Sequence, residues 1–205
     1  SQYYGAKNFE NLRKSLAHSY RLTAFIAVGA FILSQSFASL ILTGLHTPSN
    51  IIGMSLLYLR IIFCGIPATA AYNMFASALR AMGNSKTPLT AMIIASVLNV
   101  SLDILFVAGF GWGVAGAAIA TVIAQSFSAV YCFLILRRID IVHLTRADFM
   151  PASGMNARLM KLGIPVVFQN IIIGVGGLVV QYVINGYGSV SYTHLRAHET
   201  VLDLV

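Results

Sequence analysis

The sequence predicts an all-α integral membrane fold with five transmembrane helices, and three observations carry that prediction. Only 9% of the 205 residues are charged and 58% are hydrophobic, against about 25% charged in a typical soluble domain; mean hydropathy is +0.80. The few charges are also segregated. Residues 22–45, 61–79, 113–136 and 162–190 contain no Asp, Glu, Lys or Arg, and 89–112 contain only Asp103. Each run is long enough to approach the ~20 residues that cross ~30 Å of hydrocarbon as a helix. Third, the basic residues alternate between gaps. Lys7, Arg13, Lys14 and Arg21 precede the first run, Arg80 and Lys86 lie between the second and third, and Arg137, Arg138, Arg146, Arg158 and Lys161 lie between the fourth and fifth. The other gaps carry only Arg60, at the start of the second run. That asymmetry assigns the basic side to the cytoplasm. A net charge of +7 would suit a nucleic-acid partner, but placed this way it is a topology signal, and no nucleic acid is expected.

Taken in order, the first span (22–45) runs from the cytoplasm outward and ends at "TGLHTPSN". The second (61–79) returns, with Pro67 inside it removing one backbone hydrogen bond and offering a kink. "LRAMGNSKTPL", residues 79–89, then gathers breakers and charges between two apolar runs. A phosphate-binding loop would need G-x-x-x-x-G-K-[ST] after a strand, and neither is present. As structure the loop explains itself: Gly83 takes the left-handed conformation that ends a helix, Thr87 caps the next one, and Pro88 sits in its first turn.

The third span (89–112) holds Asp103, about 8 residues or ~12 Å from the "GFGWG" turn. A carboxylate at that depth is costly and usually faces a partner or a water-filled path. Asn99 lies four residues earlier on the same helical face, and the tight turn brings Thr121 of the fourth span (113–136) back to a similar depth. Carboxylate, amide and hydroxyl form an oxygen-only set suited to a hard cation or a proton. "GWGVAG", residues 111–116, satisfies G-x-G-x-x-G, but a dinucleotide-binding strand is far shorter than the run before it. Gly113, Gly116, Ala117, Ala120 and Ala124 read better as small residues that let helices pack closely in lipid. Nothing supports an enzyme. Gln35, Tyr72, Asn73, Gln125, Gln169, Asn170 and Gln181 are further polar groups within spans. Cys64 and Cys132 differ in depth by more than ~20 Å, which excludes a disulfide; both are expected to be buried thiols.

"RAMGNSKTPL" followed by "LNVSLDILFVAGFGWGVAGAAIATVIAQ" resembles the multidrug and toxic compound extrusion (MATE) family of secondary transporters. "QYYGAKNFENLRKSL" resembles the cytoplasmic link after that family's second helix, and "LGIPVVFQN" the start of its seventh. The resemblance implies a fragment of a two-lobed (6+6) twelve-helix transporter, carrying helices three to seven. Residues 1–161 would be a partial N-terminal lobe (cytoplasmic link, helices three to six and the inter-lobe loop), and 162–189 the first helix of the C-terminal lobe. It also implies that Asn99, Asp103 and Thr121 match the N-lobe cation site of a subset of the family, whose fourth member, an Asp on helix one, lies outside this sequence. Members that use an acid on helix seven are not matched, since 162–190 have none. The implied activity is export of organic cations, drugs or other amphipathic compounds across the cell (cytoplasmic, or inner) membrane in exchange for Na⁺ or H⁺. No cofactor is called for, and the full-length protein would be a monomer. A related flippase for lipid-linked saccharides and a purely structural membrane protein are the alternatives.

Residues 190–205, "VSYTHLRAHETVLDLV", break the pattern. His194 and His198 are four apart with Glu199 beside them, a spacing that could hold a metal on a helix. "VSYTHLRAHET" instead resembles the conceptual translation of a transposase sequencing adaptor. The chain is expected to be a fragment whose native sequence ends near Gly188. Amplifying the locus from independently prepared genomic DNA should give a different sequence after that point; finding "SYTHLRAHET" there would make the tail native.

Overall fold

The computed structural model describes residues 2–44, 51–142, 146–149 and 155–186, in two compact units, 1–152 and 153–205. His194, His198 and Glu199 lie outside the described residues. After a short helix α1 (Gln2–Gly5), unit 1 contains α2 (Phe9–Gly44), α3 (Ile52–Cys64), α4 (Ile66–Ala81), α5 (Lys86–Asp103) and a π-helix (Ile104–Gly109). It then continues through α6 (Gly113–Arg137) and two 3-10 turns (Asp140–Val142 and Arg146–Phe149); unit 2 holds α7 (Met155–Gly186). Among the described residues, five stretches are long and apolar enough to cross a membrane: Phe9–Gly44, Ile52–Ala81, Lys86–Gly109, Gly113–Arg137 and Leu159–Gly177. The five expected spans are therefore present, with three local differences.

The first difference is at the second span. Helix begins at Ile52, so Arg60 sits well inside Ile52–Ala81 rather than at its start. Counting a span from the nearest charge fails because an arginine can lay its apolar stem along the helix and carry its head toward the interface. The same span is two helices. Gly65 is both the last cap of α3 and the first of α4, with Pro67 in the first turn of α4. Proline is tolerated there because its missing N–H falls where the new helix has no acceptor for it.

The second difference is at the 79–89 loop. Gly83 is left-handed, φ 85°, as expected. Its N–H donates to the Arg80 carbonyl at 3.0 Å, and the Asn84 N–H to that of Leu79 at 2.9 Å, the paired bonds of a Schellman ending. The cap of α5 is not Thr87, however. Asn84 Oδ1 accepts from the Thr87 N–H at 3.1 Å, and α5 has begun at Lys86. Ser85 holds the cap position without a side-chain hydrogen bond, and Asn84, one residue earlier, both closes α4 through its N–H and holds the first turn of α5 through its side chain. The third difference is Cys64, which is exposed, whereas Cys132 is buried.

Helix α6 is the centre of unit 1, in contact with α3, α4, α5 and the π-helix. Gly116, Ala120, Ala124, Ser128, Cys132 and Leu136 are all buried along it at four-residue spacing. Inside hydrocarbon, apolar area alone does not drive helices together; close approach of backbones does. A stripe of small residues that widens to Leu136 gives that approach. At the other end of the stripe, Leu79, Cys132 and Leu136 form a core with Met82, Ala91 and Val142.

Candidate functional site

The site is built from the α5–α6 pair and the turn that joins it. The π-helix widens the backbone ladder just after Asp103: Phe110 N–H donates to the Leu105 carbonyl and Trp112 N–H to that of Phe106, each at 2.9 Å. Such segments inside α-helices often mark functional positions. Gly111 (φ 69°) and Gly113 (φ 54°) then take left-handed conformations that side chains resist. Phe106 stacks on Trp112, ring centres 5.1 Å apart, and on Phe110 at 6.0 Å. Because α6 starts under this aromatic cap, it runs back along α5 in close contact.

That approach brings Asn99 and Thr121 together. Asn99 Nδ2 donates to Thr121 Oγ1 at 3.4 Å, a long bond, while Thr121 Oγ1 donates to the Ala117 carbonyl at 3.0 Å. Oγ1 is thus oriented by its own helix and presents lone pairs toward α5. Asp103 is one turn beyond Asn99 on the same helix. Its Oδ1 is buried with no hydrogen-bond partner, an arrangement that costs free energy unless a proton or cation completes it. Asn99 and Thr121 are half-buried, as is Asp103.

Asn99 and Thr121 also line a cavity of about 310 Å³ between α4, α5 and α6; Asp103 does not. Thr69, Tyr72 and Asn73 of α4 face it, with Ser96 of α5 and Gln125 and Ser128 of α6. Thr69 Oγ1 lies 2.8 Å from Gln125 Oε1, donating to it, and Tyr72 donates to the Pro88 carbonyl at 3.3 Å. Of the polar residues the sequence offered without an assignment, Tyr72, Asn73 and Gln125 therefore belong here. Gln35 instead bridges α2 to α3, donating to the Arg60 carbonyl at 2.9 Å. Gln169 and Asn170 are exposed on α7, and the side chain of Gln181 lies outside the described ones. Thr69, Ser96 and Ser128 were missed. Their signal was helical spacing: 69, 72, 73 on one helix, 92, 95, 96, 99 on the next, 121, 124, 125, 128 on the third.

The G-x-G-x-x-G match at 111–116 follows a π-helix rather than a strand and opens α6, so it has no dinucleotide context. No group of three or more His, Cys, Asp or Glu that could hold a metal occurs among the described residues; the Asn99–Asp103–Thr121 set has one carboxylate and two neutral oxygens.

Membrane-length helices around a cavity that carries hydroxyl and amide groups among apolar side chains, with the half-buried Asp103 one turn from Asn99 in its lining, define a polytopic membrane protein. The MatE family model matches residues 1–105, and the chain belongs to that family, whose members are transporters rather than enzymes. It is 32% identical over 188 residues to "Probable multidrug resistance protein YpnP" of Bacillus subtilis (strain 168), covering 92% of this chain and 42% of that protein. "Probable multidrug resistance protein YoeA" of the same organism is 30% identical over 196 residues, with the same coverage. The structure is similar to the inward-facing conformation of a multidrug resistance MATE family transporter of the MOP superfamily. The TM-score is 0.75 at 24% identity, over 80% of this chain and 38% of that one, a likeness of fold. The chain thus spans about two fifths of the relatives it matches.

Proposed function

We propose that this chain is part of a secondary active antiporter of the cell membrane that exports organic cations, drugs or other amphipathic compounds in exchange for Na⁺ or H⁺. Residues 1–161 form part of its N-terminal lobe and 162–189 the first helix of the C-terminal lobe. Asn99, Asp103 and Thr121 hold the coupling ion, which is cargo and not a resident cofactor. The observation that carries this reading is the buried, unpartnered Oδ1 of Asp103 one turn from an amide already in contact with Thr121. A single carboxylate with two neutral oxygens suits a hard monovalent cation, and a proton on Asp103 satisfies the same oxygen. The ion drives the cycle by binding one conformation of the lobe better than the other, since an ion bound equally to both would shift nothing. The cavity beside the site gives an amphipathic substrate a place whose occupancy the ion can sense through Asn99 and Thr121.

The test is drug efflux from proteoliposomes of the full-length protein under an imposed Na⁺ or H⁺ gradient. Export that follows one gradient and collapses with it supports the antiporter. Export indifferent to both, or confined to lipid-linked saccharides, removes it.

Topology is tested separately. Residues 83–88 face the cytoplasm and residues 109–113 face outward, as the basic residues imply. In a cysteine-free full-length background, Phe110→Cys should react with an impermeant reagent on intact cells and Ser85→Cys should not. Phe110 serves because it is exposed with an ordinary backbone, φ −96°. The reverse labelling inverts the assignment.

A further inference from the structure

The segment after α6 is docked on the end of α2. Val142 is 8% exposed and Asp148 4%, and Val142 joins the core of Leu79, Cys132 and Leu136. Arg21 Nη1 donates to the Phe149 carbonyl at 3.0 Å, and Arg13 Nε lies 3.8 Å from Asp148 Oδ1. Arg13 and Arg21 are eight residues apart on α2, about two turns, so one face of that helix grips one 3-10 turn at two points. The Arg21 contact is a charge-assisted hydrogen bond, the stronger kind, whereas Arg13 Nε makes no hydrogen bond and holds the carboxylate as an ion pair only.

We infer that this grip is a latch that sets the length of the tether between the two units. With Phe149 held, only residues 150–154 separate the fixed turn from Met155, the first residue of α7. Six peptide units reach at most roughly 20–22 Å. With the 146–149 turn released and Val142 still docked, thirteen units reach roughly 43–47 Å. Two arginines on α2 therefore halve the excursion open to α7. In a transporter that alternates by moving one lobe against the other, the latch limits the stroke. That consequence rests on the antiporter reading, whereas the tether length does not.

The experiment is a distance measurement in the reconstituted full-length protein, needing no substrate or gradient. Spin labels go on Ser85→Cys in unit 1 and Met160→Cys in α7, both exposed positions, in a background otherwise free of cysteine. Two variants are compared with the parent: Arg13→Gln/Arg21→Gln, which opens the latch, and an insertion of ten Gly/Ser residues after Phe149, which lengthens the tether with the latch intact. Both should broaden the distance distribution, the double Gln variant about twofold and the insertion, with ten units added to six, by roughly two and a half times, following the reach. Amide exchange at Leu79 and Leu136 should stay slow, showing that the core has not opened. If the insertion broadens the distribution and the double Gln variant does not, the arginines are no latch. If the double Gln variant alone broadens it, tether length is not the variable and the inference fails. Should the double Gln variant fail to fold, the single Arg21→Gln, which removes the one hydrogen bond to the turn, decides: an unchanged width overturns the inference and a broadened one upholds it. Efflux activity enters none of these outcomes, so loss of the antiporter reading would leave the latch standing, and loss of the latch would leave the antiporter.

Discussion

In the full-length transporter, Asp103→Asn is expected to abolish ion-driven export while leaving expression and membrane insertion intact. The substitution keeps size and shape and removes the charge together with its titratable proton. Folding should not suffer, because a neutral amide is less costly in hydrocarbon than a carboxylate, and the atom replaced has no partner to lose. Asn99→Ala removes the amide donor, and Thr121→Ala the accepting hydroxyl, of a contact that is already long, 3.4 Å, and each takes one neutral oxygen from the set. They should weaken ion affinity by roughly tenfold, about the net worth of one hydrogen bond, and recover export at high ion concentration. A structural role predicts another order, with export following the amount of folded protein in each variant. Efflux from proteoliposomes, normalised to reconstituted protein, separates the two. Wild-type rates in Asp103→Asn would take the carboxylate out of the mechanism.

What could be read from the sequence follows from how local the physics is. The first, third and fourth spans were legible because hydrocarbon excludes charge along the whole length of a helix, and charge-free runs report it directly. The second span was misread at its outer end because a single arginine was treated as a boundary, although α3 starts before it. Its break at Gly65 depends on contact with α6: a Cβ there would lie 2.9 Å from Gln125 Oε1 and 3.2 Å from Val122 Cγ2. No window of sequence contains that contact. The turn at Gly83 was legible since left-handed glycine is a local preference, whereas whether Asn84 or Thr87 supplies the side chain that holds the first turn of α5 is a matter of register. Asn99 and Asp103 could be paired from spacing on one helix. The contact of Asn99 with Thr121 needed only the tight turn at 109–113, but the unpartnered oxygen on Asp103 needed coordinates. Thr69, Ser96 and Ser128 form the cavity with Asn99 and Thr121 because α6 carries small residues at four-residue spacing, which brings α4 and α5 close on either side.

The same turn supplies the second large effect. Gly116→Val is expected to destabilise the full-length protein by about 3 kcal/mol, the upper end of overpacking costs, and to weaken coupling-ion binding with it. A Cβ at Gly116 would lie 2.9 Å from Phe106 Cβ, 3.1 Å from Trp112 Cβ and 3.2 Å from the Phe106 backbone carbon. These are not the ends of flexible side chains, so the backbone itself must move, either α6 outward or the π-helix away from it. Phe106 is three residues past Asp103, and Thr121 is five past Gly116. Any such shift therefore changes the separation of α5 and α6 where Asn99 meets Thr121. Gly116→Ala lies between two terms: it gains about 1 kcal/mol of helix propensity and meets the same first contact, so its loss should be smaller than that of valine. Gly109→Ala is the control, since a Cβ there meets only Leu105 Cδ1, at an ordinary 3.6 Å. Thermal unfolding in detergent, with and without the coupling ion, reads both effects. Valine should lower the midpoint and remove most of the ion-dependent shift, while Gly109→Ala keeps both. A midpoint for Gly116→Val equal to that of the parent would show that the α5–α6 approach is looser than this geometry, and the contact between Asn99 and Thr121 would lose its support.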